Sequence, residues 1–67
     1  MDAGWKLNGS IATNIDPDLG GIIDCTIATG EWFVIFNADI PAIEGIATRD
    51  EAFAAHAAAI AEKFVLT

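Results

Sequence analysis

The first half of the chain alternates between its odd and even positions with the period of two that is typical of β-strands. In residues 5–15 the larger apolar side chains fall on the odd positions, and residues 21–29 continue with a second alternating segment. Trp32–Phe36 comes next as a run of aromatic and β-branched residues, the types that favour strands. The pattern predicts three strands in chain order.

Two turn signals separate these strands. Asp16–Gly20 contains a proline, which presets the backbone for the second position of a turn, and ends in glycine. Thr29-Gly30 has the length and the glycine of a tight hairpin. Both connections are short, so we expect neighbouring strands to be antiparallel.

Matching apolar partners across the strands fixes the expected register. A two-residue loop at Thr29-Gly30 pairs Ile27 with Trp32, and a five-residue loop before Gly21 pairs Ile11 with Cys25. A slip of one residue would place Ile11 opposite an aspartate and mix the faces. The register predicts one apolar face, formed by Ile11, Ile23, Cys25, Ile27, Trp32, Val34 and Phe36, and an opposite face with Ile22, Phe33 and Ile35.

The C-terminal quarter predicts one helix over residues 49–64. Thr48 and Glu51 have the spacing of a capping box, and the rest of the segment is rich in alanine, the best helix former. One apolar stripe should pack on the sheet: Phe53, Ala57, Ile60 and Phe64. Residues 37–47 are expected to be mostly irregular, with an extended piece near 43–47. The predicted fold is α+β, a single domain over residues 1–67 in which a three-stranded antiparallel β-meander packs on one C-terminal α-helix (βββα).

Length and cysteine usage limit how such a chain is stabilised. With 67 residues and a single cysteine, it has a small core and no internal disulfide. An unpaired Cys25, together with an N-terminus that lacks the features of a signal peptide, favours the cytoplasm. The longest apolar run, Trp32–Phe36, is far too short to span a bilayer.

The charge is strongly one-sided. Ten acidic residues against three basic ones give a formal charge of −7. Binding to nucleic acid or to an anionic membrane needs Lys and Arg in numbers that this chain lacks. A basic protein partner fits the charge, because complementary potentials speed encounter. The alternative is that the acids only keep an apolar chain soluble.

No constellation of residues predicts catalysis, a metal site or a cofactor. Asn14, Asp16 and Asp18 have the spacing that opens a calcium loop, but Leu19 stands where glycine is needed. His56 and Cys25 are expected on the flank of the helix stripe and in the core, respectively, and not as a nucleophile and its base. An enzyme with a site at an oligomer interface is the second alternative.

Two surfaces predict protein binding. Phe33 and Ile35 lie on the uncovered face of the strand Trp32–Phe36, which is expected at the edge of the sheet and without residues that block pairing. The back of the helix is rich in alanine and suits close packing. The candidate partner-binding residues are Asp16, Asp18, Asp24, Glu31, Phe33 and Ile35. The first alternative to a foreign partner is a structural homo-oligomer, a homodimer or larger assembly, formed through this strand or the alanine-rich helix face.

The second half of the chain resembles the N-terminal domain of HicB-type antitoxins. The resemblance runs from the aromatic strand through Asp39-Ile40-Pro41 and Gly45 to Thr48–Ala52, which opens the helix. It implies a toxin-binding fold of acidic character. In size and charge the chain is also similar to small phage anti-defence proteins of the anti-CRISPR kind. Both likenesses lead to the expectation of a small inhibitor of a basic, nucleic-acid-processing partner.

Overall fold

The computed structural model describes residues 4–65 and has an α+β architecture, a sheet of five antiparallel strands with one C-terminal helix. The strands lie in chain order across the sheet. Their bounds are Lys6–Asn8 (β1), Ile11–Asn14 (β2), Gly21–Cys25 (β3), Trp32–Phe36 (β4) and Ile43–Ile46 (β5), and the helix α1 is Arg49–Val65. The predicted antiparallel meander and C-terminal helix are confirmed, but the sheet has five strands and not the three that were predicted.

The segment predicted as one long first strand is a hairpin. β1 and β2 are joined by Gly9-Ser10, with Asn8 opposite Ile11. Gly9 has a φ of 64° at the first position of this two-residue turn, where a type II′ turn requires glycine. Across a two-residue loop, odd-numbered residues pair with even-numbered ones, as Leu7 does with Ala12. The odd-numbered apolar residues of segment 5–15 therefore cannot all lie on the same face of the sheet.

The register between β2 and β3 differs by one residue from the predicted one. Ala12 lies opposite Ile23, and Asn14 lies opposite Gly21. On its other side β3 lies close to β4: a Cβ on Gly21 would overlap the carbonyl oxygen of Ile35, so only glycine allows β3 and β4 to approach here. Ile11 therefore turns away from the helix, which corrects its expected place in the core, and Ala12 is buried in its stead.

The connection between β3 and β4 is longer than the predicted two residues. The Thr26 amide donates to the Glu31 carbonyl at 2.7 Å, and the Gly30 amide donates to the Thr26 carbonyl at 2.7 Å. The strands therefore pair Cys25 with Trp32, two residues away from the expected register. As a result Ile27 lies in the loop and is 98% exposed, which corrects its expected place in the core.

β4 is an internal strand, which corrects its expected position at the edge of the sheet. The extended piece expected near residues 43–47 is β5, and it pairs with β4 through Trp32–Ile46 and Val34–Ile43. Because these pairs differ in register by one residue, β5 has a bulge in which Glu44 and Gly45 both lie across from Phe33. Gly45 has a φ of 73°, as such a bulge favours.

The helix begins with the predicted N-cap and covers one face of the sheet. The Glu51 amide donates to the Thr48 hydroxyl at 3.1 Å. The buried core consists of Ala12, Ile23, Val34, Phe36 and Ala52. On the helix the buried positions are Ala52 and His56, flanked by Phe53 and Ile60, while Ala57 is exposed. The packing stripe is thus rotated from the predicted one. Within residues 4–65, no helix has the length and apolar character needed to cross a membrane.

Candidate functional site

The described residues, 4–65, leave the face of the sheet opposite the helix uncovered, and this face is apolar at its centre. Ile22 and Ile35 are direct cross-strand neighbours, and Asp24 lies between Ile11 and Phe33 in the adjacent row. Ile11 is 39% exposed, Ile22 39% and Ile35 45%. We refer to Ile11, Ile22, Phe33 and Ile35 as the outer patch. The prediction that Ile22, Phe33 and Ile35 face away from the helix is confirmed, and Ile11 joins them through the change in register.

Asp24 places a carboxylate inside the outer patch. Its Oδ1 accepts from the Cys25 amide at 2.7 Å and from the Ser10 hydroxyl at 3.1 Å. These two bonds fix the carboxylate of Asp24, a half-buried residue that lies across from Phe33. Of the six candidate binding residues, Asp24, Phe33 and Ile35 therefore share one surface.

Asp16 and Asp18 lie at one end of the sheet, in the loop between β2 and β3. Asp16 Oδ1 accepts from the amides of Leu19 at 2.7 Å and Asp18 at 2.8 Å. The Leu19 and Asp18 amides hold the pKa of the Asp16 carboxyl below its usual value of 3.8. The loop is thus a turn closed by its own backbone, and the Asp16 carboxylate is engaged within it.

Glu31 lies at the other end of the sheet and lines a hollow of about 250 Å³. The hollow is formed where the β5 bulge faces β4, and Glu44, Trp32 and Phe33 line it as well. A second hollow, of about 310 Å³, lies between the helix and the β4–β5 connection; its lining includes Lys63 with Asp39 and Glu62. The candidate residues therefore divide between the outer patch and the two ends of the sheet.

His56 is a central core residue, which corrects its expected place on the flank of the helix. It is 6% exposed and lies between two aromatic rings. Its ring stacks on Phe36 with centroids 5.2 Å apart and meets Trp5 edge-on at 4.9 Å. Its Nε2 lies 3.2 Å from the Gly20 carbonyl oxygen, which only accepts, so Nε2 carries the proton.

The Gly20 carbonyl is shared between the helix and the loop after β4. It also accepts from the Asn37 amide at 3.2 Å. The Asn37 side-chain nitrogen donates to the carbonyls of Asn14 at 3.0 Å and Asp16 at 2.9 Å. Sequence reasoning missed this network, because its only signal was polar residues at strand ends, where polar residues are common.

The structure does not bring the Cys25 thiol and the His56 imidazole together. His56 bonds to Gly20, the residue before β3, whereas Cys25 ends that strand, roughly 16 Å further along at about 3.3 Å per residue. Cys25 is half-buried, not enclosed in the core as expected. Among residues 4–65, no group of three or more His, Cys, Asp or Glu side chains has an arrangement that would hold a metal ion.

The helix back is less uniform than the expected alanine surface. Ala54 and Ala58 are exposed, but Ala55 and Ala59 are half-buried. The exposed back therefore shifts toward Ala57.

Comparison of the chain with protein-family models, with curated proteins and with solved structures finds no match.

Proposed function

We propose that this chain is a non-enzymatic protein-binding module and that its outer patch docks on a basic protein. The observation that carries the proposal is the uncovered sheet face, on which three isoleucines remain about two-fifths exposed around one carboxylate. A five-stranded sheet with a helix on one side has a second face that another protein can cover.

The size of the patch supports a partner that adds electrostatic attraction. Burying a whole Ile side chain contributes about 1.5–3 kcal/mol, so covering the exposed two-fifths of each contributes roughly 1 kcal/mol. Three such residues give roughly 3 kcal/mol, which is less than the roughly 4 kcal/mol of a millimolar complex. Apolar contact alone is therefore too weak, and charge complementarity supplies what is missing.

The charge distribution favours a basic partner over a second copy. The chain carries −7, and of its three cations Arg49 is engaged with the Gly9 carbonyl at 3.2 Å and Lys63 lies in the last turn of the helix. Lys6 lies on the outer face, in the row of Ile22 and Ile35. Two copies docked face to face would bring two charges of −7 together, which opposes association.

An inhibitor of a nucleic-acid-processing protein is the specific form that we propose. Proteins of that class present Lys and Arg to phosphates, and an acidic module with an apolar centre is complementary to such a surface. The antitoxin-like order of motifs in residues 32–52 and the size and charge shared with small phage anti-defence proteins support the same form.

The test compares Ile35→Glu with Ile27→Glu as a matched control. Both replace an exposed isoleucine with the same charge, but Ile27 lies in the β3–β4 loop, outside the patch. Proteins retained from host lysate by the wild-type chain are identified, purified and measured by calorimetry at two salt concentrations. We expect Ile35→Glu to weaken binding at least about tenfold, or about 1.4 kcal/mol, and Ile27→Glu to leave it nearly unchanged.

Three results would contradict the proposal. The first is a purified partner that binds Ile35→Glu as tightly as the wild type, and the second is binding that is indifferent to salt. The third is a wild-type dimer in light scattering that Ile35→Glu converts to monomer, which would make the patch a self-association surface. β4 has no open edge for a second copy to extend, because β3 and β5 pair with it on its two sides.

A further inference from the structure

The hollow beside the β5 bulge combines negative charge with aromatic surface. Glu31 and Glu44 line it together with Trp32 and Phe33, and Thr26 and Thr29 add hydroxyl groups. No Lys or Arg of the described chain lines it. Its lining therefore has acceptors and ring faces but no cation of its own.

The bulge forms one wall of this space. Two residues of β5 lie across from one of β4, and one of the two is Gly45, beside which the space is open: a Cβ built there meets nothing within 4 Å. The long loop between β3 and β4 forms the other wall with Thr26, Thr29 and Glu31. Phe33 also belongs to the outer patch, so the hollow adjoins the proposed docking surface.

We propose that this hollow binds the guanidinium group of an arginine side chain presented by the partner. Carboxylates pair with guanidinium through parallel hydrogen bonds. The flat guanidinium cation also stacks on aromatic rings, and it does so better than an ammonium group. At about 250 Å³ the hollow is smaller than the roughly 300–1,000 Å³ usual for small-molecule sites, which suits one side chain. Buried arginines are also frequent anchors of protein interfaces. The inference deepens the proposed function and depends on it for the identity of the partner.

A titration followed by NMR tests the site without the partner. N-acetyl-arginine amide is added to the ¹⁵N-labelled chain, with N-acetyl-citrulline amide as the neutral isostere and N-acetyl-lysine amide as the compact cation. We expect saturable shifts of the Glu31, Phe33 and Gly45 amides with a dissociation constant on the order of millimolar. Citrulline should produce no saturable shift, and lysine should bind several-fold more weakly than arginine.

Matched variants assign the binding to the hollow. Glu44→Gln should weaken arginine binding about fivefold or more, whereas Glu62→Gln, the same change on the helix, should alter it less than about twofold. Equal binding of arginine and citrulline, equal binding to both variants, or shifts centred away from residues 31, 33 and 45 would each overturn the inference.

The two proposals fail separately. If arginine amide does not bind but Ile35→Glu still abolishes binding of the purified partner, the arginine site is wrong and the docking surface stands. If arginine amide binds as expected and Ile35→Glu leaves partner binding unchanged, the outer patch is not the docking surface.

Discussion

Replacing His56 with alanine is expected to destabilise this chain more than any surface substitution. The ring is 6% exposed, stacks on Phe36, meets Trp5 and donates to the Gly20 carbonyl. Losing a buried aromatic ring costs about 3 kcal/mol or more, and losing the hydrogen bond costs about 1 kcal/mol. Alanine regains up to about 0.7 kcal/mol of helix propensity. The net expectation is about 3 kcal/mol.

That loss is large for a chain of 67 residues. At about 0.05–0.15 kcal/mol per residue, the free energy of unfolding is roughly 3–10 kcal/mol. His56→Ala should therefore bring the protein toward its unfolding midpoint in water. Urea unfolding followed by the fluorescence of Trp5 and Trp32 measures the change as a lower midpoint at constant slope.

Two further variants separate the ring from its hydrogen bond. His56→Phe keeps the ring and loses the bond to Gly20, whose carbonyl still accepts from Asn37, so we expect a loss of only about 1 kcal/mol. Ala57→His adds an imidazole at the adjacent exposed position and should cost less than about 0.7 kcal/mol. The reasoning is refuted if His56→Ala costs less than about 1 kcal/mol, or if His56→Phe costs as much as His56→Ala.

Three other substitutions test the turns and the helix cap by the same measurement. Gly20→Ala should destabilise the fold strongly, because a Cβ there overlaps the Asn14 carbonyl oxygen. Gly30 has a φ of 75° but lies in open space, so Gly30→Ala should cost only about 1 kcal/mol. Equal losses of stability in the two variants would contradict the packing argument. Asp16→Asn should lower stability at neutral pH, and the difference from the wild type should shrink as the pH falls below 3.8: the folded pKa lies under the unfolded value of 3.8, so the stabilisation is present above 3.8 and is lost as the pH falls through the folded pKa. A difference that stays constant throughout an acid titration would speak against this. Thr48→Ala should cost about 1 kcal/mol, and Thr48→Ser should retain most of the cap; a helix indifferent to both would show that the cap is not used.

The helix and β4 could be predicted because their signals are local. A capping residue at Thr48 and a run of alanines specify a helix whatever it packs against. The aromatic and β-branched run Trp32–Phe36 is a strand in the structure with the bounds that its composition indicates. In both cases propensity and packing favour the same answer.

The register could not be predicted, because it depends on which side chains fill a shared space. Large apolar residues are expected to face the helix, yet the core uses Ala12 opposite Ile23. This is possible because Trp5 and His56 supply the bulk from outside β2. An isolated histidine in an alanine-rich helix carries no sequence signal that it will stack in the core, so the packing stripe lies one position away from the predicted one.

The candidate binding surface could be predicted in part, for reasons that differ between its residues. Phe33 and Ile35 share a strand whose inner positions are well marked, so their outward direction follows from alternation. Ile11 joins the patch only through the one-residue change in register. The hollow at Glu31 and Glu44 depends on a bulge that pairs the two strands unevenly, and no local pattern indicates such a bulge.

The two outermost strands determine what kind of assembly the sheet can enter. β1 has three residues and begins with a lysine, and β5 has four residues and is bulged. Short, charged or bulged edge strands are poor templates for adding further strands, so assembly of many copies by edge-to-edge strand pairing is disfavoured. The outer face of the sheet, in contrast, is no longer available once one partner covers it. Association through this molecule should therefore be closed and of fixed stoichiometry, ending at one complex, and should not propagate into fibres even at high concentration.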